Sequence, residues 1–381
     1  MQFSRVQLEN WRNFSRVDVA LQTRAFLVGA NASGKSNFLD MFRFLRELVV
    51  PGGGFQEAVN SRGGVSIIRN LAARHPRTNI VIEVDLQEDE EVVWRYHIVF
   101  NQDNRSRPEL REEKIWHRGQ LILDRPNADD KADAARLSQT YLEQTFANRD
   151  FRDITDFFKS ISYSHIVPQL VRDPERSIGR QADPYGGDFL EQIAGSNKQM
   201  QEARLRRIQK ALKIAIPQLS NLELIRDEKG IPHLRGKYEH WRSQGAWQTE
   251  AEFSDGTLRL MGLLWALQSG NGPLLLEEPE LSLHPGVVRY LPQAINRVQR
   301  QQKRAPRQII VSTHSSELLG GEGIDLNEIL LFLPSKEGTN IQVGAEREEI
   351  KQELNAGLTI PEIVLTRTEP LEARQLTLFG D

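Results

Sequence analysis

Apolar and polar positions alternate over residues 3–10 (Phe-Ser-Arg-Val-Gln-Leu-Glu-Asn), the period of a half-buried strand. Two further short apolar runs follow at residues 17–20 and 25–28, the last reading Ala-Phe-Leu-Val. A Gly-rich turn comes next, and then a helical stretch over residues 36–50. There Phe38, Leu39, Met41, Phe42, Leu45, Leu48 and Val49 fall at spacings of three and four, and Pro51-Gly52-Gly53-Gly54 predicts its stop. Ile80, Ile82, Val84 and Leu86 alternate on one strand, and Val92, Trp94, Tyr96, Ile98 and Phe100 on another. Glu88-Asp89-Glu90-Glu91 turn between them, a solvated hairpin tip. Strands at 110–117 and 120–124 extend the antiparallel meander.

From 128 to 215 the pattern is helical, with a Gly/Pro-rich break at Asp183-Pro184-Tyr185-Gly186-Gly187 and no sustained heptads. Strand patterns resume at 220–226 and 231–238, and an ordered series of apolar elements runs to about residue 333. The expected organisation is an α/β fold in four parts. Residues 1–127 form a first part with the meander, 128–215 a helical insertion, 216–335 a second part, and 336–381 an extension or tail. No internal repeat or low-complexity segment is present.

Composition narrows the chemistry. The 381 residues include no Cys, which excludes disulfides, thiolate metal sites and a cysteine nucleophile. That fits a reducing, cytoplasmic setting. No apolar run approaches the length that spans a bilayer, and the start of the chain has no secretory apolar core, so no membrane association is expected. With 49 Lys+Arg against 52 Asp+Glu the chain is not a wholesale binder of nucleic acid, so any DNA contact must come from local patches. Two such runs exist: residues 297–307, and Arg204, Arg206, Arg207, Lys210 and Lys213. Either reads as a solvated helix face or as a phosphate-backbone contact.

Gly29-Ala30-Asn31-Ala32-Ser33-Gly34-Lys35-Ser36 is a full phosphate loop between a strand and a helix, with Asn37 next to it. Its backbone N–H groups would surround phosphate oxygens at a helix N-terminus. Lys35 would reach the β- and γ-phosphates of ATP, and Ser36 would offer its hydroxyl to Mg2+. Leu274-Leu275-Leu276-Glu277-Glu278-Pro279-Glu280 reads as a buried strand delivering a carboxylate pair. Glu277 is assigned to the metal and Glu278 to activating water, against the plainer account of an acidic strand end. Phe253-Ser254-Asp255-Gly256-Thr257 precedes an apolar helix over 258–267. It is either a plain helix cap or a second anion cradle. A second strand, Gln308-Ile309-Ile310-Val311-Ser312-Thr313, delivers His314 and Ser315 to its carboxyl end. His314 is either structural or a γ-phosphate contact.

These motifs, in this order, resemble the ABC-type ATPases, and in particular the soluble branch that includes the RecF, SMC and OLD-like proteins. The segment Leu8-Glu9-Asn10-Trp11-Arg12-Asn13-Phe14 is similar to that branch's first strand. The resemblance covers about 1–125 and 215–335. It implies an ABC-ATPase head, a P-loop NTPase, with an antiparallel β subdomain. It also implies a homodimer that sandwiches two ATP molecules. On that reading Ser254, Asp255 and Gly256 act on the partner's nucleotide, Ser282 lies in the loop crossing the dimer, and His314 is the switch histidine.

Three departures matter. Glu277 stands where many relatives carry Asp, the signature reads Ser-Asp-Gly-Thr, and no clear glutamine loop exists, Gln56 being the candidate. The absence of a long coiled coil argues against the long-armed chromosome ATPases. Only 67 residues follow His314 (381 − 314), so if a nuclease is involved it is expected on a separate chain. The resulting expectation is an ATPase whose ATP-driven dimerisation gates a partner effector, a nuclease or toxin, as in bacterial antiphage systems. The alternatives are a DNA-repair or chromosome-maintenance ATPase that clamps duplex DNA, and a scaffold that binds ATP but barely turns it over.

Overall fold

The computed structural model describes residues 1–73, 75, 78–177, 183, 185–239, 246–300 and 306–368. Alternating runs at the N-terminus form β1 (Gln2–Trp11) and β2 (Phe14–Ala20), and the continuous apolar run forms β3 (Arg24–Gly29). The phosphate-loop helix α1 spans Lys35–Glu47, three residues short of the expected end. The chain doubles back there, and Gly54 donates its N–H to the Glu47 carbonyl at 2.8 Å. The meander follows as β4 (Ile80–Glu88), β5 (Glu91–Gln102), β6 (Pro108–His117) and β7 (Gln120–Arg125).

Within the stretch read as helical, the described residues include one strand, β8 (Ser162–Ser164). The later strands are β9 (Leu219–Arg226), β10 (Pro232–Tyr238), β11 (Ala246–Thr249), β12 (Leu274–Glu277), β13 (Ile309–Thr313), β14 (Ile329–Ser335) and β15 (Gly338–Val343). Among the described residues the strands make three sheets. One is antiparallel, ordered β2-β1-β4-β5-β6-β7, and a second is the ribbon β11-β10-β9. The third is ordered β15-β14-β3-β13-β12-β8, parallel except for the β14–β15 hairpin.

Burial follows the sheets. A first core lies under the antiparallel sheet, joining Phe3, Trp11, Phe38, Phe42 and Phe100. It also takes in Leu142, Phe151, Ile154, Phe157, Phe158 and Ile161 from the stretch expected to be an insertion. A second core sits on the other face of the parallel sheet, around Phe26, Val28, Leu276, Val311 and Leu331. A third joins Leu205, Ile208 and Leu212 of helix Lys198–Ala215 to the ribbon and to helix Asp255–Gln268. Strands buried on both faces read as unbroken apolar runs, which is why β3, β12 and β13 were visible locally.

Two expectations change. Residues 128–215 are not helical throughout, because β8 completes the central sheet through pairing with β12, Leu275 opposite Tyr163. Residues 336–368 are not a tail. β15 is a strand of the central sheet, and Ile350, Ile363 and Val364 are buried in the second core. Residues 369–381 lie outside the described residues.

Candidate functional site

The parallel order β14-β3-β13-β12-β8 brings the carboxyl ends of five strands to one edge, where open α/β sheets hold ligands. From that edge rise the phosphate loop after β3, His314 after β13, Glu277 and Glu278 at the end of β12, and Tyr163 and His165 at the end of β8. Ser33, Gly34 and Lys35 are buried, while Asn31, Ala32 and Ser36 are exposed. Gly34 has φ 102°, and a side chain there would overlap Asn13. The Asn13 amide donates to the Ser33 carbonyl at 2.9 Å and accepts from Asn37 at 2.8 Å. The Thr339 hydroxyl adds a second bond to the Ser33 carbonyl, 2.8 Å. The loop is thus held from below by β15 and by the turn between β1 and β2.

Lys35 curls into the loop, its ammonium donating to the carbonyls of Gly29 (2.8 Å) and Ala30 (3.0 Å). Burial lowers its pKa, partly offset by Glu278, Glu277 and Glu280. A triphosphate would restore to this ammonium the anionic partners that burial denies it. An open recess of about 400 Å³ lies beside it, lined by Gly29, Ala30, Asn31, His314, Leu365 and Thr368. The helix Ile360–Thr368 therefore walls one side of the phosphate loop.

The Ser36 hydroxyl donates to Oε1 of Glu277, and the Tyr163 hydroxyl donates to its Oε2. Among the described residues no group of three or more His, Cys, Asp or Glu is arranged to hold a metal. Mg2+ does not need one, since it takes hard oxygen donors, keeps several waters and relies on substrate phosphates. Ser36 and Glu277 supply such oxygens beside the phosphate loop, and the donor set fits that ion.

Glu278 has φ 44°, a left-handed conformation uncommon for a residue with a side chain. Its Oε1 lies 3.3 Å from Nδ1 of His314, which is about half exposed. Its N–H donates to the Ser312 carbonyl at 3.0 Å, tying the ends of β12 and β13 together. Glu280, to which no role was assigned, is 8% exposed. One of its oxygens accepts from the Thr313 hydroxyl (2.5 Å) and the His314 N–H (3.3 Å), and the other is buried without a partner. Burial raises its pKa, so the carboxyl holds its proton more tightly than an ordinary glutamic acid.

The signature residues lie on the first turn of helix Asp255–Gln268. Ser254 is its N-cap, its Oγ accepting from the Thr257 N–H at 3.2 Å. Asp255 accepts from Arg172 at 2.6 Å. A Cβ on Gly256 would stand 2.4 Å from the Ser282 carbonyl, so only glycine admits this contact. Ser282, with φ 61°, belongs to the loop that leaves the carboxylate pair.

Some candidates are corrected. Gln56 is no glutamine loop, because its amide is spent on the carbonyls of Pro108 and Ser138, both at 2.9 Å. Arg307 is removed from any basic surface. It is buried and donates to the carbonyls of Ala266, Ser269 and Gly272, with its pKa lowered to about 10 by burial. Residues 301–305 of that run lie outside the described residues. Arg204 lies over the Trp265 ring at 5.2 Å, whereas Arg206, Arg207, Lys210 and Lys213 are exposed. Tyr163 and His165 were missed altogether. A Ser-Tyr-Ser strand has no apolar run to mark it, and its meaning comes from a partner more than a hundred residues away.

Comparison with known proteins agrees with the fold. The family model described as "AAA domain, putative AbiEii toxin, Type IV TA system" matches residues 24–320. Among solved structures, an SMC head bound to the C-terminal winged-helix domain of ScpA superimposes with a TM-score of 0.55 at 14% identity. The match covers 90% of this chain and 97% of that one. At that identity the likeness is one of fold, that of a P-loop NTPase head. A curated relative, endonuclease GajA of Bacillus cereus (strain VD045), is 36% identical over 58 residues, 15% of this chain. The matched segment spans only 10% of that relative's length.

Proposed function

The chain belongs to the AAA-domain family whose model matches residues 24–320, and from that premise we propose that it binds Mg2+ and ATP, hydrolyses the γ-phosphate, and dimerises around the nucleotide to gate a partner effector. The observation that carries this reading is the contact of Ser36, on the phosphate-loop helix, with Glu277 at the end of β12. Two segments 241 residues apart thereby present one oxygen cluster beside the phosphate cradle.

In the proposed reaction Lys35 leaves the Gly29 and Ala30 carbonyls for the phosphate oxygens. Ser36 and Glu277 would hold Mg2+, which when bound neutralises charge on the β- and γ-phosphates. Glu278 takes a proton from water as the water oxygen bonds to the γ-phosphorus and the bond to the ADP oxygen breaks. His314, 3.3 Å from Glu278, orients that carboxylate and lies within the same mouth. Ser254, Asp255 and Gly256 would complete the site of a second copy, and the exposure of Ser254 in one chain supports that.

The proposed setting is antiphage defence with a separate nuclease or toxin as effector, a role argued from the resemblance alone. The test is Glu278→Gln. It should accumulate as an ATP-dependent dimer without turnover and retain a stoichiometric companion protein when purified from its host. A monomer with near wild-type turnover would overturn the reading.

One observation favours a second reading. Arg206, Arg207, Lys210 and Lys213 form an exposed basic face on helix Lys198–Ala215, suited to the phosphate backbone of duplex DNA. ATP-dependent DNA binding that falls steeply with salt, without a companion protein, would favour that DNA clamp.

A further inference from the structure

Glutamate at position 277 poses a geometric problem that the strand β8 answers. A glutamate has one more methylene and one more rotatable bond than an aspartate, so its carboxylate end is less well placed by the backbone. Here both oxygens are engaged from different directions. Oε1 receives the Ser36 hydroxyl, the group that would share the metal, and Oε2 receives the Tyr163 hydroxyl. With one oxygen held by Tyr163, the other faces Ser36.

We infer that Tyr163 is a positioning residue that selects the Glu277 oxygen offered to the metal, in a role the sequence pattern does not assign to any residue of β8. The inference rests on the reading of Ser36 and Glu277 as metal-binding.

Tyr163 is itself firmly held. β8 pairs in parallel with β12, and the Ser162 N–H donates to the Pro273 carbonyl at 2.8 Å. The buried Arg307 donates to the Ser162 hydroxyl from beneath. The Arg43 guanidinium, on the phosphate-loop helix, covers the Tyr163 ring at 4.9 Å. His165, two residues on, places Nδ1 3.2 Å from the Glu277 main-chain carbonyl, which fixes the backbone that carries the carboxylate. Side chain and main chain of Glu277 are thus both held from β8.

The test compares Tyr163→Phe with wild type by titrating Mn2+ into the complex with a non-hydrolysable ATP analogue, read by electron paramagnetic resonance. The ring and its contact with Arg43 survive this change, so the fold should be kept. Orienting partners of metal ligands typically contribute 10–100-fold in affinity, so Mn2+ should bind roughly tenfold or more weakly. Analogue binding without metal should be unchanged, and excess metal should restore turnover. In a Glu277→Asp background the shorter carboxylate cannot reach the phenol, so adding Tyr163→Phe should have no further effect. Mn2+ affinity unchanged in Tyr163→Phe, or equal losses in both backgrounds, would overturn the inference. Glu277→Ala serves as the control. If it too leaves Mn2+ affinity unchanged, the metal assignment fails; if only Tyr163→Phe does, the metal assignment stands and the inference alone falls.

Discussion

Oε1 of Glu278 and Nδ1 of His314 lie 3.3 Å apart, at the ends of two adjacent parallel strands whose residues are 36 positions apart (314 − 278). Neither group has its place set by its own segment. The left-handed backbone at Glu278 turns its side chain toward the mouth of the phosphate loop, and His314 meets it there. Backbone conformations of this kind persist only where surrounding structure imposes them, and they concentrate at working sites.

From this pair the first prediction follows. Glu278→Gln removes the base while keeping shape, so kcat should fall by roughly 100-fold or more with ATP affinity retained. His314→Ala should lower kcat less, by about tenfold, because it removes an orienting group. Steady-state phosphate release paired with equilibrium nucleotide binding separates the two effects.

Asn13 carries the second prediction. Its amide bridges Ser33 and Asn37, and Asn13→Ala would remove one of the two hydrogen bonds to the Ser33 carbonyl and the acceptor of the Asn37 amide. A hydrogen bond contributes about 0.5–1.5 kcal/mol, so the loss of two should weaken nucleotide affinity about tenfold. Fluorescent-nucleotide titration would show this, and Asn13→Asp, which loses the donor, should not rescue it.

Glu280 gives a prediction about pH. Burial raises its folded pKa above that of the unfolded chain. The neutral carboxyl therefore contributes stability that is fully present below the ordinary glutamic acid range and is lost as pH rises through the raised value. Glu280→Gln stays neutral throughout, so its melting temperature should gain on wild type as pH rises across that window. Each unit of the raised pKa corresponds to about 1.4 kcal/mol. Thermal melts of both proteins from pH 4 upward measure the crossing, and parallel curves would refute the assignment.

Gly256 separates the two halves of the proposed dimer site. An alanine Cβ would meet the Ser282 carbonyl at 2.4 Å, forcing the signature turn and the neighbouring loop apart. Gly256→Ala should abolish ATP-dependent dimers in light-scattering measurements. ATP affinity of the monomer should stay within about threefold, since the phosphate loop lies on separate elements.

Much of the molecule was legible from local pattern. The unbroken apolar runs of β3, β12 and β13 announced strands buried on both faces, and the alternation at Ile80–Leu86 and Val92–Phe100 announced a sheet with one wet side. The phosphate loop and the strand ends that carry Glu277, Glu278 and His314 could be located because each is marked by a few contiguous residues, whereas the meeting of Glu278 with His314 was not local. Tertiary structure decided the rest. Ser162–Ser164 is a strand only because β12 lies beside it, and Tyr163 matters only because that pairing delivers its hydroxyl to Glu277. Arg307 sat in a basic run by sequence, yet the carboxyl end of helix Asp255–Gln268 and its following turn draw it inward to their carbonyls. Residues 336–343 looked like the start of a tail, yet Thr339 braces the phosphate loop through Ser33. The difference has one physical cause. Periodicity and turn chemistry record what a segment does with its own neighbours in the chain, whereas hydrogen bonds between distant segments depend on which strands the packing of the three cores sets side by side.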